Sequence, residues 1–396
     1  MFRPLSIGEW ALAVGIALGA ACWLAVLGCA FTFRARRFRS AKAFGVWPSV
    51  TLLKPVYGLE KNLRENLRTA CLQDYPDHQV VYSVQRPDDP AIPLLRELAQ
   101  EFGAQRVSVV VASVCIGVNG KVNNLAGALP HARHELLVIS DSDVSLERDF
   151  LRQIVAPLAD PEVGVVSAFF RGVDAGTWYE QLELLALSGD QFAMAMLASA
   201  TGRVDFCFGA STALSRTTLA QIGGFEALGA SLVEDHEMGR RIGALGKRVV
   251  VIPHVVRTTV DLSSPAAWWQ KQTYWDQNTL AAVPGVFALT LLLRIIPLAL
   301  VFAALRGFDS VGLSVLCAAV TIRVSAVALV LAVALGDRRS LRALWLVPVK
   351  DLLSLGCALQ AFFSRKVVWR GVEMAVGRGG QLSAVSSSAI ETERTS

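Results

Sequence analysis

The sequence predicts an α/β domain with a mostly parallel sheet, held between membrane helices at its N- and C-terminal ends. Three observations predict it. Short Val-rich apolar runs alternate with helix-length stretches between residue 48 and about residue 265, the pattern of strand–helix–strand units. Trp10–Phe33 is apolar without a charge, and three more apolar stretches follow residue 285. Mean hydropathy is +0.45 with only 18% charged residues over 396, which excludes a disordered chain and argues against a purely soluble one. The net charge of +5 is too mild to argue for nucleic acid. The 7 cysteines form no CxxC pair and read as reduced, small apolar residues.

Residues 1–33 read as a membrane anchor, since about 20 apolar residues span a bilayer. Arg34, Arg36, Arg37, Arg39 and Lys42 follow it directly. Basic flanks stay in the cytoplasm, so residue 34 onward is expected there. The domain at 34–265 opens with strands at Val50–Pro55, Gln79–Gln85, Arg106–Ala112, Glu135–Ser140 and Val163–Phe169. Helices are expected between them at Leu59–Gln73, Ala91–Phe102, Lys121–Leu129 and Leu146–Leu158. Residues 266–285 are Trp-rich and suit the bilayer interface. Within 286–363 lie Val286–Leu305, Val311–Leu335 and Leu344–Phe363, each carrying charge: Arg294, Arg323 and the pair Lys350–Asp351. Basic residues both in 336–342 and after Phe363 imply that one segment does not cross, and Leu344–Phe363 is the expected interfacial or re-entrant one. Residues 364–396 read as a basic stretch and a disordered polar tail.

Ligands in open α/β sheets bind beyond the carboxyl ends of the strands, so the polar residues there are candidates. The fourth strand ends in Asp141-Ser142-Asp143. Paired carboxylates suit a hard divalent cation, Mg²⁺ or Mn²⁺, shared with substrate phosphates; the alternative is a solvated turn. Asp88-Asp89-Pro90 follows the second strand, where Asp89 either accepts from a base or ribose or caps the next helix. Gly117-Val118-Asn119-Gly120-Lys121 precedes a helix and reads as a phosphate cradle with Lys121 as its cation. Glu234-Asp235 opens a later helix, either as a general base or as a favourable dipole pair. Trp268–Trp275, with Gln270 and Lys271 inside it, suits both the membrane interface and sugar stacking.

Taken in order, the anchor, LLKP at Lys54, DDPA at Asp89, the run around Lys121 and Asn124, the DSD, FGAS, GGF, the Glu-Asp pair and the Trp-rich stretch resemble the family 21 glycosyltransferases, typified by ceramide glucosyltransferase. The set is also similar to the bacterial hopanoid-associated glycosyltransferases. The resemblance spans roughly residues 48 to 275. It implies a GT-A nucleotide-sugar fold and an inverting transfer from a UDP-sugar, glucose first, to a hydroxyl of a ceramide-like membrane lipid. It further implies a multi-pass protein of a bacterial inner membrane, with the catalytic domain cytoplasmic. By resemblance Asp89 and Asp141 serve donor binding, and Asp141 with Asp143 holds the metal. Asp235 is the base, and Lys54, Lys121 and Asn124 lie near the nucleotide-sugar. Gln270 and Trp275 face the acceptor or the interface. One motif departs: where the family carries (Q/R)xxRW, this chain has Lys271, Tyr274 and Trp275. Hopanoid N-acetylglucosaminyl transfer, processive polysaccharide synthesis and non-catalytic UDP-sugar binding are the alternatives.

Overall fold

The structure is a computed structural model and describes residues 4–37, 44–200, 202, 206–364, 366–369, 372–376 and 382–384. Arg39 and Lys42 of the basic cluster lie outside the described residues. The strands are β1 Val50–Pro55, β2 His78–Val84, β3 Val107–Val111, β4 Leu136–Ser140, β5 Val144–Ser145, β6 Val163–Val173, β7 Ser211–Ser215 and β8 Arg248–Thr259. The first helices are α1 Ile7–Arg37, α2 Leu63–Cys71, α3 Ile92–Phe102, α4 Gly120–Ala128 and α5 Phe150–Val155. They continue with α6 Trp178–Leu185, α7 Phe192–Ala200, α8 Arg216–Gln221, α9 Glu234–Ala244 and α10 Pro265–Ala282. The last are α11 Pro284–Leu293, α12 Ile295–Leu305, α13 Ser310–Leu329 and α14 Val347–Phe363.

These strands form one sheet in the order β3-β2-β1-β4-β7-β6-β8-β5. Strands β1 to β4 pair in parallel, as do β6 and β8. Strand β7 runs antiparallel to both β4 and β6. Alternate residues of each strand face opposite sides. Leu52 and Val80 join the core beneath α2, α3 and α5, while Leu53, Val81 and Leu137 join the core beneath α4 and α9. The sequence expectation missed β7 and β8. Ser211–Ser215 is a short, half-polar run, and β8 contains Pro253, which reads as a break. The β6–β8 register shifts where Ala168 pairs Ile252 and Phe169 pairs Val255, so Pro253 falls in a bulge, where a strand tolerates it.

A third core fastens the sheet to the terminal helices. Phe33 of α1 packs edge-on against Phe169 of β6 and Phe192 of α7, with ring centroids 5.0 and 5.2 Å apart. Ile7–Ala35, Ser310–Ala334 and Arg339–Phe363 are each long and apolar enough to cross a membrane. Large apolar side chains on their outer faces, including Leu18, Phe31, Leu313, Leu359 and Phe362, are exposed.

Leu344–Phe363 falls within a segment long and apolar enough to cross a membrane. Helices α11 and α12 meet at Arg294 with a bend of 58°. Pro297 explains the location: it has no N–H to give to the carbonyl of Leu293, four residues back. The indole of Trp23 donates to that carbonyl instead, at 2.8 Å. A Cβ on Gly19 would come within 2.3 Å of the Leu292 carbonyl oxygen, so α1 can lie against the break only with glycine there.

Each charge in these helices has a partner. Arg294 pairs with Asp276 of α10 at 2.9 Å. Arg323 pairs with Asp351 at 2.9 Å and with Asp190, and lies over the Trp23 ring. Lys350 pairs with Asp351 at 3.1 Å and with Asp190. Asp190 belongs to a π-helical turn, Ala186–Gln191, between α6 and α7. In the C-terminal stretch, Lys366–Trp369, Val372–Val376 and Leu382–Ala384 form a small antiparallel sheet, whereas the sequence reads there as a basic stretch and tail. The remaining tail lies outside the described residues.

Candidate active site

The candidate residues converge at the carboxyl ends of β1, β2 and β4. Strand β7 is antiparallel to β4, so the loop entering it, 206–210, reaches the same edge, and Asp141 N–H donates to the Ala210 carbonyl at 3.2 Å. The Asp141-Ser142-Asp143 turn is stapled from below. Lys54 is fully buried and donates to the carbonyls of Asp141 at 2.7 Å and Val144 at 2.8 Å. Burial pulls its ammonium down to about 8. Lys54 therefore builds the turn and is not open to a ligand in this form.

The Asp143 carboxylate receives no hydrogen bond among the described residues. Burial, with the charges of Asp141 and Glu60, pushes its carboxyl up to about 7. Ser142 Oγ donates to Glu60 at 2.6 Å. An all-oxygen, acid-rich set with one carboxylate lacking a donor fits a hard divalent cation. Asp141 and Asp143 are the residues that would hold it.

Lys121 is the hub of the site. Its Nζ lies 2.7 Å from Asp141 Oδ1 and 3.0 Å from Glu234 Oε1, and donates to the Gly209 carbonyl at 3.1 Å. Burial works against its charge, but these carboxylates outweigh burial and hold its pKa above the usual lysine value. The phosphate-cradle expectation needs correction at its backbone. Asn119 Oδ1 already accepts from Lys121 N and Val122 N, so the start of α4 is capped by its own sequence. Asn119 Nδ2 donates to the Ser231 carbonyl at 3.0 Å and to Glu234 at 3.3 Å, tying the Lys121 loop to the loop that carries the Glu-Asp pair.

Asp235 is not the cap of α9. That position is Val233, which makes no side-chain capping bond. Asp235 Oδ1 accepts from His236 N at 2.8 Å. Burial first, then the charge of Glu234, pushes its carboxyl up to about 7. Gly209 presses on it: a Cβ there would lie 2.9 Å from Asp235 Oδ2. The arrangement supplies a desolvated carboxylate titrating near neutrality, as a general base requires.

Asp89 and Asn124 brace the rim. Asp89 accepts from Gly58 N at 3.1 Å and Ala91 N at 2.9 Å, so it joins the loop after β1 to the start of α3. Asn124 Nδ2 donates to the Val56 carbonyl at 3.0 Å, and its buried Oδ1 has no partner. Helix α10 meets the site on the side of the terminal helices. Lys271 lies 3.1 Å from Glu183, and Gln272 donates to the same carboxylate at 2.6 Å. Burial opposes the Lys271 charge, but Glu183 and Asp143 raise its pKa. Tyr274 packs with Val118, Leu232 and Val233, just before Glu234. Trp275 is half-buried on this helix, while Gln270 is exposed.

Sequence reasoning missed Glu60, Asn119 and Glu183. Glu60 follows the exit of β1, so the strand-end rule points to it. Asn119 was visible as a helix-capping residue type beside Gly120. Glu183 sits inside α6, far from any strand end, and carries no local signal.

A sequence profile for glycosyl transferase family 21 matches residues 12–382. Ceramide glucosyltransferase 1 of Caenorhabditis elegans is 22% identical over 238 residues, covering 60% of this chain and 51% of that protein. Ceramide glucosyltransferase 3 of the same organism is 22% identical over 264 residues, covering 65% and 56%. The chain thus spans about half the length of these curated relatives. Among solved structures, a mannosyltransferase from Pyrobaculum calidifontis in complex with GDP-Man and Mn²⁺ superposes with a TM-score of 0.54 at 22% identity. That alignment covers 89% of this chain and 99% of the other, and at such identity the likeness is one of fold.

Proposed function

Because the chain belongs to glycosyl transferase family 21, we propose that it moves glucose from a UDP-sugar to a hydroxyl of a ceramide-like lipid in its own membrane. The observation that carries this reading is the ion-pair cluster in which Lys121 joins Asp141 to Glu234, beside Asp235. The curated relatives, named as ceramide glucosyltransferases, support the sugar and the acceptor. The exposed apolar faces of the terminal helices support the membrane setting. The basic residues from Arg34 to Lys42 support a cytoplasmic catalytic domain, in this reading at a bacterial inner membrane.

Asp235 takes the proton of the acceptor hydroxyl as its oxygen bonds to the anomeric carbon. The bond to the UDP oxygen breaks with its electron pair, and one displacement inverts the linkage. Asp141 and Asp143 would hold a divalent cation, a reading supported by the Mn²⁺ in the complex of the mannosyltransferase of similar fold. When bound, that cation supplies positive charge to the departing diphosphate. Lys121 balances the charge of Asp141 and Glu234, and Lys54 fixes the turn that carries the aspartates. Asp89 and Asn124 shape the rim where the nucleotide lies.

Mass spectrometry of lipids from a strain lacking the gene tests this reading. A hexosylated ceramide should disappear. Loss of an N-acetylhexosaminyl hopanoid would redirect the acceptor, and an unchanged lipid profile would contradict the proposal.

A further inference from the structure

The face of α10 turned toward the hollow carries polar atoms that the fold leaves unused. Lys271, Tyr274, Trp275 and Asn278 recur at helical spacing and share one side of the helix. Lys271 is engaged by Glu183. Tyr274 packs on Leu232 and Val233, next to Glu234 and Asp235. Asn278, only 5% exposed, lies one helical turn beyond Tyr274. Its carbonyl oxygen Oδ1 is left without a partner, and so is the buried indole Nε1 of Trp275. Buried polar atoms are nearly always paired. One unused acceptor and one unused donor, on the face that adjoins the proposed base, match the polar head of an uncharged amphiphile.

Charge points the same way. Asp141, Asp143, Glu60, Glu234, Asp235 and Glu183 surround the hollow, against Lys54, Lys121 and Lys271. Each of these lysines is already engaged by carbonyls or carboxylates. A cation and a donor diphosphate suit such a site, while a phosphorylated acceptor would meet excess negative charge. Tyr274 also stands where the resembled motif has arginine, so the position carries no charge of its own.

We propose that Asn278 determines acceptor specificity. Its Oδ1 accepts a hydrogen bond from the lipid's polar head while Trp275 Nε1 donates a second. The acceptor is then an uncharged lipid with a hydrogen-bond donor beside its reacting hydroxyl. This inference rests on the lipid-glycosylating reading above.

The test is steady-state kinetics of the full chain with UDP-glucose and mixed micelles of ceramide in non-ionic detergent. Asn278→Leu keeps the branched shape and removes the acceptor atom, so KM for ceramide should rise about tenfold, the worth of one hydrogen bond. KM for UDP-glucose should not change, and a cooperative thermal transition checks that the variant is folded. Trp275→Phe, which keeps an aromatic ring, should move the ceramide KM in the same direction and covers the case in which Asn278→Leu does not fold. An unchanged ceramide KM in a folded, active variant overturns the inference and leaves the glycosylation reading intact. No transfer to ceramide by the wild-type protein overturns that reading and this inference with it.

Discussion

Asp235 carries the sharpest consequence at the residue scale. Its carboxyl is pushed up to about 7 by burial and by Glu234, and a base works only when ionised. With saturating donor and Mn²⁺, turnover should therefore climb as pH rises through about 7 and level off above it. Asp235→Asn keeps the shape but cannot take the proton, and should lower turnover by about 10²–10⁴-fold with little change in donor affinity. Turnover within a few-fold of wild type would pass the role to Glu234. Gly209→Ala tests the geometry from the other side. The new Cβ would sit 2.9 Å from Asp235 Oδ2, so turnover should drop well beyond any loss of thermal stability. Asp141, Asp143 and Asp235 were legible because residue type coincided with a strand end or a helix start. Whether Lys54 faced a ligand was not legible, because the carbonyls that engage it belong to residues 141 and 144, some ninety positions away. Asn119 shows the converse: a visible capping residue whose second task, holding the Glu-Asp loop, depends on a long-range contact.

At the element scale, the strands β1 and β4 were legible almost to the residue, because strands buried on both faces read as unbroken apolar runs. Strand β8 was hidden by Pro253, whose bulge only a paired neighbour reveals. The bend at Arg294 was hidden by composition: α11 and α12 are both apolar, and only the missing N–H of Pro297 marks the place. Arg323, Lys350, Asp190 and Asp351 join the catalytic domain to α13 and α14. Removing one member of a buried pair strands the other charge, so Arg323→Met should cost about 3–5 kcal/mol. Thermal denaturation in detergent would measure this, and a Tm within a degree of wild type would show that the cluster is not a structural joint.

At the scale of the whole molecule, α10 is the boundary. One of its faces closes the site through Lys271 and Tyr274, and the other meets the terminal helices through Asp276 with Arg294 and Trp269 with Gln360. In the proposed reading, this holds the reaction at the membrane surface. Gln100 is exposed on α3. In a variant stripped of native cysteines, Gln100→Cys should resist an impermeant thiol reagent in intact cells and react after lysis. Labelling from outside would reverse the orientation. In the proposed reading, the acidic cluster binds a divalent cation and a UDP-sugar and hands the sugar to a lipid. The direct measurement is UDP release by the purified protein with UDP-glucose, with and without ceramide and in excess EDTA. Release should require ceramide, stop with EDTA and return with Mg²⁺ or Mn²⁺. Full release in EDTA, or release indifferent to ceramide, would contradict the account.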